Sequence, residues 1–378
     1  MNRLARITVF MLALLLWPGV SAAASGEQEN LVLAAQSDTA SLRKSSPEAA
    51  ADTSGELDMD EYLYGHVGDA YGWHITTVNG HPVTVHLPVI VRSKTTGWHI
   101  FSSKHIEEGE EYEGFRIAAK GEPNEGKLVE ETAGGIVRPL DISITKNVFG
   151  LMVNSLVVVL LVLLGARWYR KHDAVEEAPH GFAGIVEMLV TMIEDDIIKV
   201  CVGPDYKRYS PYLLTAFFFI FINNLMGIIP IFPGGANITG NIAVTFTLAI
   251  CTFLAVNLFG NKHYYKDIFW PDVPVFLKAI PLMPLIEIIG VFTKPFSLMI
   301  RLFANILAGH MMLLGVVAVV FLTAKMGIGL NAGMSFIAVC FGVFMDILEL
   351  LVAFLQAYVF TMLSSVFIGL SRQAPEKE

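Results

Sequence analysis

An apolar run in the C-terminal half of the chain carries three polar side chains where a membrane-spanning segment normally has none. The run contains Arg301, Asn305 and His310, and Arg301 has apolar neighbours for several turns on both sides. A charged side chain at the centre of a bilayer costs at least about 2.5–3.5 kcal/mol, so such a residue normally faces a cavity or a partner. Two structural explanations compete with a functional one: an arginine that extends to the membrane surface, and a buried ion pair that only holds helices together. The depth of Arg301 within the run disfavours the first.

Two apolar blocks, residues 284–323 and 331–371, are too long for a simple membrane crossing. A continuous helix of about 40 residues is about 60 Å long, whereas the hydrocarbon core of a bilayer is about 30 Å thick. Neither block contains a clear loop signal. The sequence therefore predicts two long helices that tilt steeply or bend.

The composition is that of an integral membrane protein. Of the 378 residues 54% are hydrophobic, and the mean hydropathy is +0.56, well above the range of soluble domains. Residues 25–147 carry 20 acidic and 10 basic side chains, so this segment alone has a charge of about −10 and the rest of the chain is near neutral. Nothing in this charge distribution suggests a nucleic-acid partner. Cys201, Cys251 and Cys340 lie in apolar surroundings, so no disulfide framework is implied.

The N-terminal third divides into three parts before the first span. Residues 1–24 have a basic start, an apolar core and small residues at the end, which predicts a signal peptide; an uncleaved anchor is the weaker alternative. Residues 25–61 are rich in Ala, Ser, Asp and Glu without periodicity, which indicates a disordered linker. Residues 62–145 contain β-branched and aromatic runs with Asn79-Gly80 as a hairpin turn, which predicts a small β-rich domain outside the cytoplasm.

Histidines are frequent in this predicted β-rich domain. Their spacing shows no close pair with a carboxylate or a cysteine, which favours ordinary surface histidines over a metal site. The histidines are His66, His74, His81, His86, His99 and His105.

The remaining apolar segments complete a five-span membrane domain over residues 146–372. Spans are predicted at residues 148–164, 212–232 and 242–259, ahead of the two long blocks. Residues 182–202 instead place apolar side chains on one stripe, which predicts an amphipathic helix lying on the cytoplasmic surface or against a partner. The fold class is therefore an all-α polytopic membrane protein with five transmembrane helices and a small β-rich periplasmic N-terminal domain.

Basic residues set the expected orientation. Arg167, Arg170 and Lys171 follow the first span, and further lysines follow the third. Since basic loops stay in the cytoplasm, the N-terminal domain is predicted to be periplasmic, and residues 373–378 form a cytoplasmic tail. This places the chain in the inner membrane of a bacterium as a multi-pass protein.

Three stretches together resemble one known family over about residues 145–372. The most specific is Ser297-Leu-Met-Ile-Arg301-Leu-Phe-Ala-Asn305-Ile-Leu-Ala-Gly309-His310. The supporting stretches are Glu349-Leu-Leu-Val-Ala-Phe-Leu-Gln356 and Asn224-Leu-Met-Gly-Ile-Ile-Pro230. They are similar to the signatures of subunit a of the F-type ATP synthase, the stationary ion-channel subunit beside the rotating c-ring.

The resemblance implies a role for each matching residue. Arg301 takes the place of the essential arginine, and Glu287 that of a residue near the inner half-channel. Side chains of the outer half-channel match Asn305, His310, Glu349 and Gln356. The carboxylate and the histidine are exchanged between the two helices relative to some members, and a structural ion pair stays an alternative for this couple. Asp346 falls outside the motif and is interpreted as a solvated residue at the channel mouth.

The implied function is proton translocation to and from the c-ring carboxylate, without catalysis by the chain itself. The implied partners are c-ring subunits, the stator-stalk subunit b near residues 182–202, and membrane lipid; H⁺ is the expected ion and Na⁺ is left open. No cofactor and no metal site are expected. A self-contained secondary transporter or ion channel is the alternative function, although the sequence shows no inverted repeat.

Overall fold

The structure of the chain is a computed structural model. It describes residues 69–372 except 79–80, 120–121, 123, 125, 133–134, 173–176, 230–233, 270–281 and 324–326. The predicted signal peptide, linker, Asn79-Gly80 turn and C-terminal tail lie outside the described residues.

The N-terminal part is built of short antiparallel strands in three small sheets. One sheet pairs β1 with β2, the second has the order β4-β3-β8, and the third has the order β5-β6-β7. The strands are β1 (Gly72–Val78), β2 (His81–His86), β3 (Pro88–Ser93), β4 (Gly97–Ser102), β5 (Phe115–Ile117), β6 (Leu128–Thr132), β7 (Gly135–Val137) and β8 (Leu140–Asp141). A 3₁₀ helix, Ser103–Gly109, follows β4. The predicted strand content is confirmed in these residues.

The apolar run of residues 83–91 is divided into two strands at Leu87. The Leu87 N–H donates to Ser103 Oγ at 3.0 Å, and the Ser103 N–H donates to the Leu87 carbonyl at 2.9 Å. These bonds satisfy the backbone of Leu87 outside either ladder, so a strand can end there without a buried unpaired group.

The inner faces of the last two sheets enclose a small apolar core. Its strand alternation is regular, because Val89, Val91 and Phe101 are buried while their neighbours point away. Further members of this core are Tyr71, Ile106, Phe115 and Leu128.

The helical part begins with α1 (Lys146–Tyr169), which is longer at both ends than the predicted span of residues 148–164. The β-rich part is attached directly to the first turn of this helix. Asp69 Oδ1 accepts from the Asn147 N–H at 3.0 Å, and the Trp73 ring packs edge-on against Phe149 with 6.0 Å between centroids. An acidic group near a helix N-terminus is stabilising because the first N–H groups there lack partners in the helix.

The predicted amphipathic helix is present but is interrupted. The chain forms α2 (Phe182–Thr191), a π-helical segment (Met192–Ile198), α3 (Lys199–Val202), a 3₁₀ turn (Gly203–Asp205) and α4 (Tyr206–Ile228). The predicted stripe is only partly correct: Ile193 and Ile197 are fully buried, whereas Ile185 and Val200 are exposed. A π segment inserts a residue into the turn and rotates the residues beyond it, so one 3.6-residue stripe cannot describe the whole segment.

Two shorter helices, α5 (Ile242–Leu258) and α6 (Lys262–Phe269), precede the two predicted long ones. These are α7 (Leu282–Thr323, 42 residues) and α8 (Ile328–Arg372, 45 residues), which pack against each other. Within the described residues, four helical stretches are long and apolar enough to cross a membrane. They are Lys146–Tyr169, Phe182–Ile228, Leu285–Thr323 and Gly329–Arg372. The predicted third span, α5, has 17 residues and is shorter than these.

The end of α8 is tied to the ends of the earlier helices. Arg372 pairs with Asp205, and its guanidinium also donates to Asn261 Oδ1 at 2.8 Å and to the Phe259 carbonyl at 3.1 Å. One turn earlier, Gly369 packs so closely that a Cβ there would lie 2.0 Å from the carbonyl oxygen of Cys201. The end of α8 is therefore held by contacts with α3, with the 3₁₀ turn before α4 and with the connection between α5 and α6.

Candidate functional site

The structure brings His310 of α7 and Glu349 of α8 together. His310 Nδ1 lies 3.3 Å from Glu349 Oε1, and Glu349 is 8% exposed while His310 is half-buried. Gly309 lies beside the carboxylate, and a Cβ at that position would be in ordinary van der Waals contact with Oε1 at 3.5 Å. A histidine and a carboxylate in contact can hold one proton between them in either direction.

One stripe of α7 explains why His310 faces α8. Leu302 and Ile306 are buried, and His310 continues their spacing of four residues. Arg301 and Asn305 are each one residue earlier than a member of this stripe, so they point about 100° away from it. Both are exposed. Arg301 and His310 therefore point to different sides of α7.

The surface around Arg301 is open and is made of small side chains. Ser297, Ala304 and Ala308 are exposed on the same side of α7. No other residue in the described part of the chain forms a hydrogen bond or an ion pair with Arg301. The guanidinium therefore keeps its donors available on the outside of the helix pair.

A buried polar chain extends from the Glu349 face of α8 into other helices. Gln356, seven residues after Glu349 and about 20° away around the helix, is 9% exposed. Asn224 of α4 donates from Nδ2 to the Ala353 carbonyl of α8 at 3.2 Å, and Thr239 Oγ1 donates to Asn224 Oδ1 at 2.6 Å. These contacts lead from the loop before α5 to α8 through groups that can all bond to water.

The sequence interpretation missed another part of this polar region. Asn154 of α1 donates from Nδ2 to Asn223 Oδ1 of α4 at 3.1 Å, and both are fully buried. Oδ1 of Asn154 and Oγ of Ser155 are buried with no hydrogen-bond partner among the described residues. An asparagine in the middle of an apolar span was the available signal, because polar groups inside a membrane are costly.

A second set of buried hydroxyls ties three helices together on the other half of the bundle. Tyr212 Oη lies 2.9 Å from Thr252 Oγ1, which lies 3.3 Å from Ser364 Oγ. These residues belong to α4, α5 and α8 and were not singled out from the sequence. Interhelical hydrogen bonds of this kind stabilise membrane bundles by a fraction of a kcal/mol to about 1–2 kcal/mol each.

Two predicted site residues lie away from the pair. Glu287 is exposed near the start of α7, 14 residues or about 21 Å along the helix from Arg301. Asp346 is exposed on α8. The structure thus joins His310 and Glu349, with Gln356 on the same face of α8, and leaves Arg301, Asn305, Glu287 and Asp346 on the outer surface.

Histidine chemistry in the β-rich part is local. His99 Nδ1 lies 2.6 Å from Glu113 Oε2, and His105 stacks on Tyr112 with 4.6 Å between ring centroids. Over the described ranges, no group of three or more His, Cys, Asp or Glu side chains is arranged to hold a metal ion.

Comparison with known proteins gives two matches to family models. The model described as ATP synthase A chain matches residues 151–369. A second model, described as a domain of unknown function (DUF8433), matches residues 62–142. The boundary between the two matches coincides with the passage from the β-rich part to α1.

Curated relatives agree with the first match. ATP synthase subunit a of Chlorobium phaeobacteroides is 40% identical over 243 residues, which cover 62% of this chain and 67% of the relative. The protein of the same name from Pelodictyon phaeoclathratiforme is 42% identical over 238 residues, with 61% and 66% covered. That of Myxococcus xanthus is 36% identical over 249 residues, with 64% and 77% covered. The chain therefore belongs to the ATP synthase subunit a family, the proton-translocating stator component of the membrane sector, which conducts ions and catalyses no reaction of its own.

Proposed function

We propose that His310 and Glu349 form the proton relay of the outer half-channel and that Arg301 separates this half-channel from the inner one. The observation that carries the proposal is the 3.3 Å contact between His310 Nδ1 and Glu349 Oε1 across α7 and α8, with Arg301 on another side of α7. Along α7, Glu287 precedes the arginine and His310 follows it, so Arg301 stands between two protonatable groups.

The relay chemistry follows from the two side chains. Imidazole can accept a proton on one nitrogen and release one from the other, and the carboxylate is its proton-exchanging partner. Gln356 and Asn224 carry both donors and acceptors, so they can orient water along the path from the loop before α5. Asn305, on the exposed side beside Arg301, is placed where this path would reach the moving carboxylate.

Arginine suits the barrier because its guanidinium stays protonated at any physiological pH. It would attract an ionised c-ring carboxylate and repel a proton that crosses directly. The small exposed side chains at 297, 304 and 308 allow a neighbouring helix to approach closely. Lysine would be a poorer choice, because burial can neutralise it.

The proposed topology has five spans, with α5 as the shortest. The basic residues after α1 and at the end of α8 indicate the cytoplasmic side. The β-rich part, residues 62–145, is then periplasmic behind a signal peptide and a linker, and residues 373–378 are cytoplasmic. Helices of 42 and 45 residues would be about 63 Å and 68 Å long, so both must be strongly inclined in the bilayer. In this orientation Glu287 serves the inner half-channel and Asp346 lies toward the outer mouth.

The proposed partners use two surfaces. The c-ring would contact the exposed side of α7 that carries Arg301. Subunit b would pack in the groove between α1 and α2, whose walls are apolar at Val162 and Val190 and acidic at Glu187 and Glu194.

Replacement of Arg301 tests this function. We expect Arg301→Ala to abolish both ATP-driven proton pumping and proton-driven ATP synthesis in membranes that contain normal amounts of the complex. Arg301→Lys should fail nearly as badly. The matched control is Ile300→Ala, which truncates the exposed neighbouring side chain and should keep coupling. Normal ATP synthesis with Arg301→Ala would refute the proposal. Ion flux through the purified chain without a ring would favour the alternative, a self-contained transporter.

A further inference from the structure

The β4-β3-β8 sheet has an apolar face that no described residue covers. Cross-strand pairing arranges this face in three rows, because Arg92 lies opposite both Trp98 and Leu140, and Ile90 lies opposite Ile100. The backbone bonds Ile142 N–H to Ile90 O and Ile144 N–H to Pro88 O extend the rows toward α1. We call this surface the outward sheet face; its members are Trp98, Arg92 and Leu140, then Ile100, Ile90 and Ile142, then Ser102, Pro88 and Ile144.

The exposure of this face is unusual. An antiparallel sheet with one face in a core normally carries polar side chains on the other. The inner face here is the apolar core with Val89, Val91 and Phe101. On the outward sheet face, Ile100 is 72% exposed, Trp98 57% and Leu140 56%. A contiguous exposed apolar patch of this kind marks a contact with another protein or with a membrane.

The charges on the face favour a lipid surface. Arg92 lies over the Trp98 ring with 5.7 Å from its Cζ to the ring centroid, and Arg138 is exposed two residues before Leu140. No acidic residue occupies any of the nine positions, although residues 25–147 as a whole are strongly acidic. Tryptophan and aliphatic side chains with neighbouring arginines are the composition that binds at the boundary between acyl chains and anionic headgroups.

The short connection to α1 keeps the outward sheet face close to the membrane surface at which α1 begins. Only Thr145 separates Ile144, in the last row, from Lys146, where α1 begins. At about 3.3 Å per residue, Leu140 in the first row is at most about 13 Å from Ile144. All three rows are therefore within reach of the headgroup layer of the leaflet in which α1 starts.

We propose that the outward sheet face rests on the outer leaflet of the membrane that α1 spans and binds anionic phospholipid headgroups there. The β-rich part is then a monotopic membrane-binding domain attached to the first span. Trp98, Ile100 and Leu140 insert at the acyl boundary, and Arg92 and Arg138 contact headgroup phosphates. The choice of the outer leaflet rests on the topology proposed above, whereas contact with lipid is independent of the roles proposed for Arg301, His310 and Glu349.

Spin-label accessibility in lipid nanodiscs tests the proposal. The assembled complex would carry a single nitroxide at Ile100→Cys or Leu140→Cys, in a background where Cys201, Cys251 and Cys340 are replaced by serine or alanine. Lys104→Cys, an exposed position on the 3₁₀ helix that follows β4, is the matched control. Collision rates with oxygen and with a water-soluble nickel chelate measure whether each label is in lipid or in water.

We expect the ratio of oxygen to nickel collisions at residues 100 and 140 to be severalfold higher than at residue 104 in discs that contain phosphatidylglycerol. Arg92→Gln with Arg138→Gln should lower this ratio at residue 100, and discs of phosphatidylcholine alone should remove the difference between the arginine and glutamine forms. Labels at 100 and 140 as accessible to nickel as at 104 would overturn the proposal. Immobilised labels shielded from both oxygen and nickel would also overturn it, since they would indicate a protein partner instead.

Discussion

His310 and Glu349 come from helices α7 and α8, 39 residues apart in the chain, and place a ring nitrogen 3.3 Å from a carboxylate oxygen. The contact lies beside Gly309, where an added Cβ would be in ordinary van der Waals contact with the carboxylate. The packing of α7 against α8 brings the pair together.

An exchange of the two residues tests whether the pair works as a unit. We expect His310→Ala and Glu349→Ala each to lower proton flux by about 100-fold, the low end of what a positioned proton-transfer group contributes. The double exchange His310→Glu with Glu349→His should recover part of the flux, because it restores both partners. The measurement is ATP-driven proton pumping normalised to assembled complex. Single losses that simply add in the double exchange would point to separate structural roles.

The close packing of Gly369 predicts a steric effect on assembly. Its added Cβ would lie 2.0 Å from the Cys201 carbonyl oxygen, so Gly369→Ala must force α8 away from α3. We expect a loss of about 1–3 kcal/mol in stability, as for other overpacked sites. The control is Gly342→Ala in the same helix, where nothing lies within 4 Å of the new Cβ. Thermal denaturation of the purified complex should show a lower midpoint for the first variant and an unchanged or higher one for the second.

The Asn154–Asn223 bond predicts a measurable coupling between α1 and α4. Each asparagine replaced by alanine removes the same interhelical hydrogen bond, so the second replacement should cost less than the first. A double-mutant cycle should give a coupling of about 0.6 kcal/mol, the average for such bonds inside membranes. The free energy of unfolding in mild detergent is the quantity to compare. A coupling of zero would mean that water replaces the partner and that the path from the outer side reaches this depth.

Asp69 predicts a pH dependence at the junction between the β-rich part and α1. Burial raises the pKa of its carboxyl, and the bonds from the Asn147 N–H and the Thr145 hydroxyl oppose this in part. Because the pKa in the folded state is above the unfolded value, the docked state binds the proton more tightly. The docking should therefore be strongest below the unfolded pKa and weaken as pH rises through the folded pKa.

The variant Asp69→Asn should remove this dependence, because the amide keeps an oxygen that accepts from Asn147 but cannot ionise. Hydrogen exchange of the first turn of α1, measured at several pH values, reports the docking. Glu110→Gln changes an exposed carboxyl in the same domain and serves as the control. Protection that increases with pH in the unmodified chain would contradict the assigned direction.

Much of the membrane part could be predicted because its signals are local. Uninterrupted apolar length determines α7 and α8, and helical spacing places Arg301 and His310 on different sides of one helix. Features set by packing between distant segments could not be predicted from the pattern. The π segment at residues 192–198 changes the buried stripe, and the docking of Trp73 on Phe149 joins two parts that the sequence suggests are separate.

The candidate site shows the same division. The pairing of His310 with Glu349 was predicted from a family resemblance, and the structure supplies its distance. The Asn154–Asn223 bond and the contact of Thr239 with Asn224 were not anticipated, because the sequence indicates that a polar group is present without showing which one it meets. A buried asparagine in an apolar span therefore predicts a hydrogen bond to another helix but does not identify its partner.

The contacts of Arg372 have a consequence for biogenesis. Its partners Asp205, Phe259 and Asn261 precede it by 111 to 167 residues. The start of α4 and the end of α5 therefore gain these contacts only when the last turn of α8 is present. If the spans are inserted in the order of their synthesis, this bundle cannot be completed until α8 has been synthesised, because contacts of such long sequence separation form late. Until then, Asp205 and Asn261 lack this partner in the nascent chain. A quality-control protease that recognises incomplete bundles would therefore distinguish a nascent or truncated chain from a finished one at this junction.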